Sequence, residues 1–332
     1  MATTYDFIAQ NKRRTWLLVL LFPLSFVVLG FLAVWLLCYL CTPVTAQELQ
    51  AGTSVVAMRA LDPAIDMAWQ VLPWLWLGAM AWMGIAYYFG DKMLLHGAGA
   101  VRIYGVDQPE IYCLVENLCI AAGLPMPEVY IINDQSLNAF ATGRDPKHAS
   151  IALTKGIVKR LDRAELEGVI AHELSHVKNR DIRLMLITVA GISFFTFLAE
   201  ICFRLAAGSS RGSGKNKGSG AALFLFLGIA FTLYGYVIAP LIRLAVSRTR
   251  EYQADASAAL LTRHPAALAS ALEKITKDPR VESLDAHASM AAMCIANPLS
   301  AMGLFSFLSG LWSTHPPVEK RIAKLRQMDR GY

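Results

Sequence analysis

His172, Glu173 and His176 form an H-E-x-x-H array inside an apolar stretch of this 332-residue chain. On an α-helix, imidazoles four positions apart project from one face, one turn above each other. A single divalent metal needs that spacing, and Glu173 could take a proton from an attacking water in the same cavity. The array therefore predicts a zinc-dependent hydrolase, with peptide-bond hydrolysis as the favoured reaction.

The residues before the array indicate a helix with a strong start signal. Asp162 and Glu165 have the spacing of a capping box, and apolar residues recur at three-to-four spacing from Leu166 to Val177. Catalytic zinc normally has three protein ligands and a water, so the two histidines need a third partner. The candidates downstream of the array are Glu251, Asp255, His264, His287 and His315.

The composition is that of a membrane protein, because 55% of the residues are hydrophobic and only 17% are charged. The uncharged runs Trp16–Cys41 and Met67–Gly90 both exceed the length of about 20 residues that spans a bilayer. A cleaved signal peptide is the alternative for the first run, but its apolar region would have only about 7 to 15 residues. An uncleaved anchor is therefore favoured.

The charges that flank these two runs predict their orientation. Basic residues are more frequent on the cytoplasmic side of a membrane, which places the N-terminus and everything after Gly90 in the cytoplasm. The net charge of the chain is +6. The cytoplasmic flanks contain Lys12, Arg13, Arg14 and Lys92, whereas the connecting loop contains Glu48, Asp62 and Asp66 against Arg59.

A small sheet is predicted between the second run and the H-E-x-x-H helix. Segments rich in β-branched and aromatic residues alternate with turns, and Glu110–Ala122 is typical of a helix that ends at Gly123. The last two segments are expected to pair as an antiparallel hairpin. The predicted strands are Ala100–Tyr104, Val129–Ile132, Asn138–Gly143 and Ser150–Thr154.

Two more apolar runs, Leu184–Ala199 and Ala221–Ile242, are separated by a flexible Gly/Ser linker at 208–220. If the H-E-x-x-H helix continues, Leu184 lies about 12 Å beyond His176 along it. Glu251 lies a similar distance, about 13 Å, beyond Ile242 at the end of the second run. A membrane hairpin would therefore return Glu251 to the level of the histidines, which favours it as the third ligand. A re-entrant or partly buried pair of helices remains the alternative, because the linker is basic.

Four ordered segments together resemble the HtpX-type integral-membrane zinc metalloproteases of bacteria, which are relatives of the type I CAAX prenyl proteases. The resemblance covers nearly the whole chain. It implies a mainly α fold, in which membrane helices accompany a zincin-like α+β metalloprotease domain with a small antiparallel sheet. The segments are Asn138–Gly143, Ala171–Asp181, Arg250–Asp255 and Ser313–Pro317.

The resemblance also implies a role for individual residues. His172, His176 and Glu251 would bind one zinc ion, Asp255 would orient a ligand histidine, and His315 would stabilise the oxyanion of the tetrahedral intermediate. An extended substrate would pair with a strand edge formed by Asn138, Ala139, Phe140 and Ala141.

The expected activity is cleavage of membrane or misfolded proteins at the cytoplasmic face of the bacterial inner membrane, as protein quality control. The expected partners are polypeptides and the lipid bilayer, with no nucleic acid. The alternatives are processing of lipidated CAAX-type C-terminal peptides and a non-catalytic scaffold with a structural metal. A transporter or receptor is disfavoured because the first two runs contain no ionisable residue.

The expected organisation has four parts. Residues 1–92 form a membrane anchor, and residues 93–183 form the first part of the catalytic domain. Residues 184–247 form the hydrophobic hairpin with its linker, and residues 248–332 complete the catalytic domain.

Overall fold

Helices make up most of the chain that the computed structural model describes, which comprises residues 4–41, 58–209, 221, 224–235, 248–277 and 316–329. The helices are α1 (Thr4–Cys41), α2 (Leu61–Gly97), α3 (Pro109–Ala122), α4 (Lys155–Arg160), α5 (Arg163–Lys178), α6 (Asp181–Ser209), α7 (Phe224–Gly235), α8 (Arg248–Thr262), α9 (Pro265–Lys277) and α10 (Val318–Asp329). The strands are β1 (Ala100–Ile103), β2 (Glu128–Ile132), β3 (Ala139–Gly143) and β4 (Ala149–Thr154). The predicted mainly α fold with a small sheet is confirmed.

The chain divides into two compact units. One contains the sheet and the H-E-x-x-H helix α5, and the other contains apolar parts of α1, α2, α6 and α7. The first unit comprises Met1–Thr15, Ala86–Ala190 and Ala239–Tyr332, and the second comprises Trp16–Ile85 and Gly191–Ile238.

The sheet has the strand order β1-β2-β4-β3 and is mixed, whereas the sequence led us to expect an antiparallel sheet. The predicted β3–β4 hairpin is confirmed, with Ala139 opposite Leu153 and Gly143 opposite Ala149. However, the hairpin returns β4 into the position next to β2, so that β2 and β4 run in the same direction. The β1–β2 pair is antiparallel.

The sheet of the first unit is covered on both faces. On one face, Ile151 and Leu153 pack into a core with α3, α5 and α9. On the other face, Phe140 and Ala152 pack against the C-terminal part of α2 and the first turns of α6, through residues such as Leu94 and Leu186. Because adjacent strand residues point to opposite faces, β3 and β4 are buried along their whole length.

Within the described residues, two helices are long and apolar enough to cross a membrane, α2 at Leu61–Gly97 and the Asp181–Gly208 part of α6. They include the predicted runs Met67–Gly90 and Leu184–Ala199. The α6 helix continues past Glu200, whose carboxylate forms an ion pair with Arg204 one turn later on the same helix.

The other two predicted runs coincide with helices that have shorter apolar segments, Val27–Tyr39 in α1 and Phe224–Gly235. The predicted linker lies outside the described residues from position 210 to 220.

Gly156, at the start of α4, allows the loop before β3 to pass close to the helix. Its N–H donates to the Asp134 carbonyl at 2.9 Å, and an added Cβ would come within 2.0 Å of the Gln135 carbonyl oxygen. The Oγ1 of Thr154 caps α4 and donates to the Ser136 carbonyl, so that this loop is held from both sides. The position of β3 therefore depends on a glycine at 156.

We expect Gly156→Ala to lower the thermal midpoint of unfolding, because overpacking against rigid backbone costs about 1–3 kcal/mol. The measurement is a melting curve of the purified protein in detergent. Gly78→Ala is the matched control, since a Cβ there meets nothing within 4 Å. Equal losses in the two variants would contradict the predicted close approach.

Candidate metal centre

Helix α5 carries the H-E-x-x-H array and is tied to its neighbours at its first turn. The capping box is confirmed: Asp162 accepts from the Glu165 N–H, and Glu165 accepts from the Asp162 N–H, both at 2.9 Å. Glu165 is itself buried and also accepts from Ser270 and Lys274 of α9, both at 2.6 Å. The helix therefore begins at a defined residue, and this sets the direction in which the later histidines point.

His172 and His176 face each other at close range. Their Nε2 atoms are 3.2 Å apart, and their rings meet edge to face. His172 is fully buried, and the side chain of His176 is 16% exposed. The predicted alignment of two imidazoles on one helix face is confirmed.

Glu251, in the first turn of α8, completes a group of three possible metal donors. Its carboxylate oxygens lie 3.8 Å from His172 Nε2 and 3.7 Å from His176 Nε2. The candidate ligand atoms of the three residues all lie within 4.8 Å of one another. Helix α8 thus brings the preferred third candidate to the imidazole pair.

The outer nitrogen of each imidazole faces a carboxylate. His176 Nδ1 is hydrogen-bonded to Asp181 at 2.9 Å. His172 Nδ1 lies 3.0 Å from Asp255, although the ring N–H is not aligned on that oxygen. These contacts favour a proton on each Nδ1, which leaves the lone pairs of both Nε2 atoms directed toward Glu251.

A sharp turn between α5 and α6 brings Asp181 beside His176. Arg180 adopts left-handed backbone angles, with φ 58°, and its N–H bonds to the Val177 carbonyl. The other oxygen of Asp181 accepts from Arg250 of α8 at 3.1 Å. One carboxylate therefore orients a histidine and links α6 to α8.

Arg321, from α10, is completely buried in this cluster. It forms a two-pronged ion pair with Asp255, with Nε and Nη2 at 2.8 and 2.7 Å from the two oxygens. Its Nη1 lies 3.5 Å from Glu251, without hydrogen-bond alignment. The guanidinium therefore restrains the carboxylate beside His172 and acts electrostatically on Glu251.

The arrangement fits a divalent metal of zinc's size and charge. Two nitrogens about 2.05 Å from zinc at a tetrahedral angle are about 3.3 Å apart, close to the 3.2 Å between the Nε2 atoms. Metal binding requires both imidazoles to be neutral. Among the described residues of the site, four buried carboxylates then outnumber two buried guanidiniums, and one divalent cation would balance the two remaining negative charges. The carboxylates are Glu173, Asp181, Glu251 and Asp255, and the guanidiniums are Arg250 and Arg321.

Burial and this excess of negative charge shift the pKa values of the cluster. Burial would lower the pKa of His176, but the hydrogen bond to Asp181 and the charges of Glu251 and Asp181 outweigh it and raise the pKa to about 9. Burial lowers the pKa of His172, and the Arg321 charge adds to this effect. Burial would raise the pKa of Asp255, but Arg321 outweighs it and lowers that pKa.

Glu173 has the properties of a general base. Burial raises its pKa to about 7, the charge of Glu251 adds to the rise, and the charges of His176 and Arg321 oppose it. The Ala141 N–H donates a hydrogen bond to the carboxylate. A carboxyl group with a pKa near neutrality can accept and return a proton under ordinary conditions.

The predicted substrate strand lies next to Glu173. In the described sheet, β3 is an edge strand, and the Ala141 N–H that bonds to Glu173 belongs to it. The Ala139 N–H donates to the Asn138 side-chain oxygen at 2.9 Å, and all four residues, with Phe140, are at most 6% exposed. The edge therefore already has side-chain partners at two N–H groups.

Of the remaining sequence candidates, the structure describes only His264. His264 precedes α9, and its Nδ1 accepts from the Ala267 N–H at 3.2 Å. His287 and His315 lie outside the described residues.

Three residues of the cluster received no role from the sequence: Asp181, Arg250 and Arg321. Asp181 ends the extended motif after His176, and Arg250 directly precedes Glu251, so that adjacency was the available signal for both. Arg321 had no signal, because it looks like one more basic residue on an amphipathic helix.

The comparisons with known proteins agree with this geometry. A family model described as Peptidase family M48 matches residues 106–329. A protease HtpX homolog of Bacteroides fragilis (strain YCH46) is 40% identical over 321 residues, covering 96% of this chain and 97% of that protein. A protease HtpX homolog of Tropheryma whipplei (strain Twist) is 39% identical over 328 residues, covering 99% of both.

Among solved structures, the crystal structure of S. mikatae Ste24p is similar, with a TM-score of 0.46 and 19% identity. The match covers 77% of this chain and 58% of that one. The resemblance inferred from four short segments is confirmed by the sequence matches, which extend over almost the whole chain. A family match of this length, together with the helices long enough to cross a bilayer, assigns the chain to peptidase family M48 as a membrane metalloendopeptidase similar to the HtpX proteases.

Proposed function

We propose that this chain is a zinc endopeptidase of the bacterial inner membrane that cuts membrane or misfolded proteins at the cytoplasmic face. The observation that carries the proposal is the convergence of His172, His176 and Glu251 beside the buried carboxylate of Glu173. In the part of the chain that the structure describes, these three donors leave the fourth tetrahedral position for water or substrate. A structural metal site would be closed by a fourth protein ligand and would have no use for Glu173.

His172, His176 and Glu251 would hold the zinc, which when bound supplies Lewis-acid polarisation of the scissile carbonyl and of the attacking water. Glu173 takes a proton from that water and passes it to the leaving amine. Asp255 and Asp181 keep the imidazoles in the required tautomer and orientation.

An extended polypeptide is the substrate form that the site favours. A peptide that paired with β3 would lie beside Glu173, and it would replace Glu173 as partner of the Ala141 N–H and Asn138 as partner of the Ala139 N–H. Pairing through main-chain groups depends little on side-chain identity, and this suits an enzyme that cuts many different exposed segments. His315 remains the proposed group for stabilising the oxyanion.

The cytoplasmic orientation rests on the charges that flank α1 and α2. Lys12, Arg13 and Arg14 precede the apolar part of α1, and Lys92 follows that of α2. By the positive-inside bias, both flanks and the H-E-x-x-H helix would be cytoplasmic. Membrane proteins with exposed cytoplasmic segments are then the accessible substrates, consistent with a role in quality control.

We expect Glu173→Gln to retain zinc and lose cleavage by about 10²- to 10⁴-fold, because the amide keeps the shape of the side chain but cannot accept the proton. Casein cleavage and zinc content of the purified protein test this directly. Glu167→Gln, on the same helix, should leave both unchanged. Substantial cleavage by zinc-loaded Glu173→Gln would remove Glu173 from the mechanism.

Glu251→Ala should lose bound zinc, because two imidazoles alone hold the ion weakly. Metal analysis after gel filtration measures the loss. Glu273→Ala, which removes a partly exposed carboxylate of α9, is the matched control. Full zinc occupancy in Glu251→Ala would show that another donor completes the site.

Arg321→Gln should weaken zinc binding by about 10- to 100-fold, since partners of the ligands commonly contribute that much to metal affinity. Loss of the guanidinium leaves the buried carboxylate of Asp255 uncompensated, so a lower thermal midpoint is also expected. Competition with a chelator gives the affinity. Arg326→Gln, an exposed change on the same helix, should behave as wild type, and unchanged zinc affinity in Arg321→Gln would contradict the expectation.

A further inference from the structure

Two arginines and two tyrosines, none of them a proposed metal ligand, form a cluster in the first unit. The Arg144 guanidinium lies over the Tyr88 ring, 5.4 Å from its centroid, and the Arg183 guanidinium lies over the Tyr87 ring at 5.9 Å. The two rings are themselves in edge contact, 5.2 Å apart. We refer to these four residues as the arginine–tyrosine cluster.

Hydrogen bonds hold the cluster in place. Arg183 Nε donates to the Arg144 carbonyl at 2.6 Å, and Arg144 Nη1 donates to the Tyr88 carbonyl at 3.2 Å. The turn that follows Arg144 is fixed because Asp145 accepts from the N–H groups of Lys147 and His148. Both guanidiniums are therefore positioned before any ligand arrives, which reduces the entropy lost on binding.

The cluster lies where the apolar parts of α2 and α6 end. Tyr87 and Tyr88 belong to the last turn before Asp91 interrupts the uncharged run of α2, and Arg183 directly precedes the uncharged run of α6. Tyrosine and arginine are enriched where membrane helices meet the headgroup region. Tyr88 is 58% exposed, so the cluster is accessible from outside the protein.

Positive charge predominates around the cluster. Arg144 and Arg183 are joined by exposed Lys147 in the hairpin turn. Asp145 is engaged by its own turn and by the His148 ring, 2.9 Å away, and its contact with Arg144 is a distant 3.9 Å. Asp91 lies near Tyr130, and its charge contributes to the raised pKa of that phenol.

We propose that the arginine–tyrosine cluster binds the phosphate of an anionic phospholipid headgroup. The hydrogen bonds described here use one N–H of each guanidinium, Nη1 of Arg144 and Nε of Arg183, and a guanidinium has five. The remaining N–H groups can grip phosphate oxygens in pairs, as arginine does in many phosphate sites. The exposed Tyr88 ring would contact the glycerol and upper acyl chain. The proposal rests on the membrane placement of α2 and α6 and is independent of the peptidase chemistry.

The test uses the full-length, zinc-loaded enzyme in an uncharged detergent. Phosphatidylglycerol is titrated in, with phosphatidylcholine of the same acyl chains as the zwitterionic comparison, while native mass spectrometry counts bound lipid and a melting curve reports stabilisation. We expect preferential binding of phosphatidylglycerol. The double variant Arg144→Gln/Arg183→Gln should weaken phosphatidylglycerol binding by about fivefold for each arginine removed. Zinc content should not change.

Arg102→Gln is the matched control, because Arg102 also lies over a tyrosine, Tyr104, but is neutralised by Glu128 at 2.7 Å. It should bind lipid as the wild type does. If the double variant fails to fold, Arg144→Gln alone decides, since it keeps the carbonyl that Arg183 contacts. Unchanged affinity for phosphatidylglycerol in the arginine variants would overturn the proposal. Equal stabilisation by inorganic phosphate at the same concentration would also overturn it, by assigning the site to free anions.

Discussion

Among the described residues, four carboxylates and two guanidiniums share one buried region around the imidazole pair, and ion pairs between them link the neighbouring helices. Buried carboxylates are tolerated only when cations or hydrogen-bond donors surround them. Each carboxylate that flanks a histidine is therefore matched by an arginine, Asp181 by Arg250 and Asp255 by Arg321. The charge of Glu251 and Glu173 that remains is what a divalent ion would balance.

The same contacts hold the catalytic unit together. Asp181 joins the start of α6 to α8, and Asp255 joins α8 to α10. Because each orienting carboxylate also bridges two helices, the positions of the imidazoles and the packing of the helices are set by the same groups. Residues that tune the site are thus not separable from residues that stabilise the fold, and substitutions among them will change metal affinity and stability together.

Local signals in the sequence predicted the parts of the site that lie on single elements. Asp162 and Glu165 marked the start of α5, and the four-residue spacing placed both imidazoles on one face. The preference for Glu251 came from the lengths of two apolar runs, a coarse measure that nevertheless selected a residue next to the histidines. Arg321 could not be predicted, because it meets Asp255 only after helices 66 residues apart in sequence have packed. The parallel β2–β4 pair had no local signal either, since strand direction depends on where the hairpin inserts.

Arg321 follows every other member of the cluster along the chain, and this order has a consequence during synthesis. A nascent polypeptide can form α5, α6 and α8 while α10 is still inside the ribosome. Asp255 and Glu251 then lack their guanidinium, and the carboxylate beside His172 is free to reorient. The charge of Asp255 therefore cannot be compensated by Arg321 until α10 has been synthesised and has packed against α8.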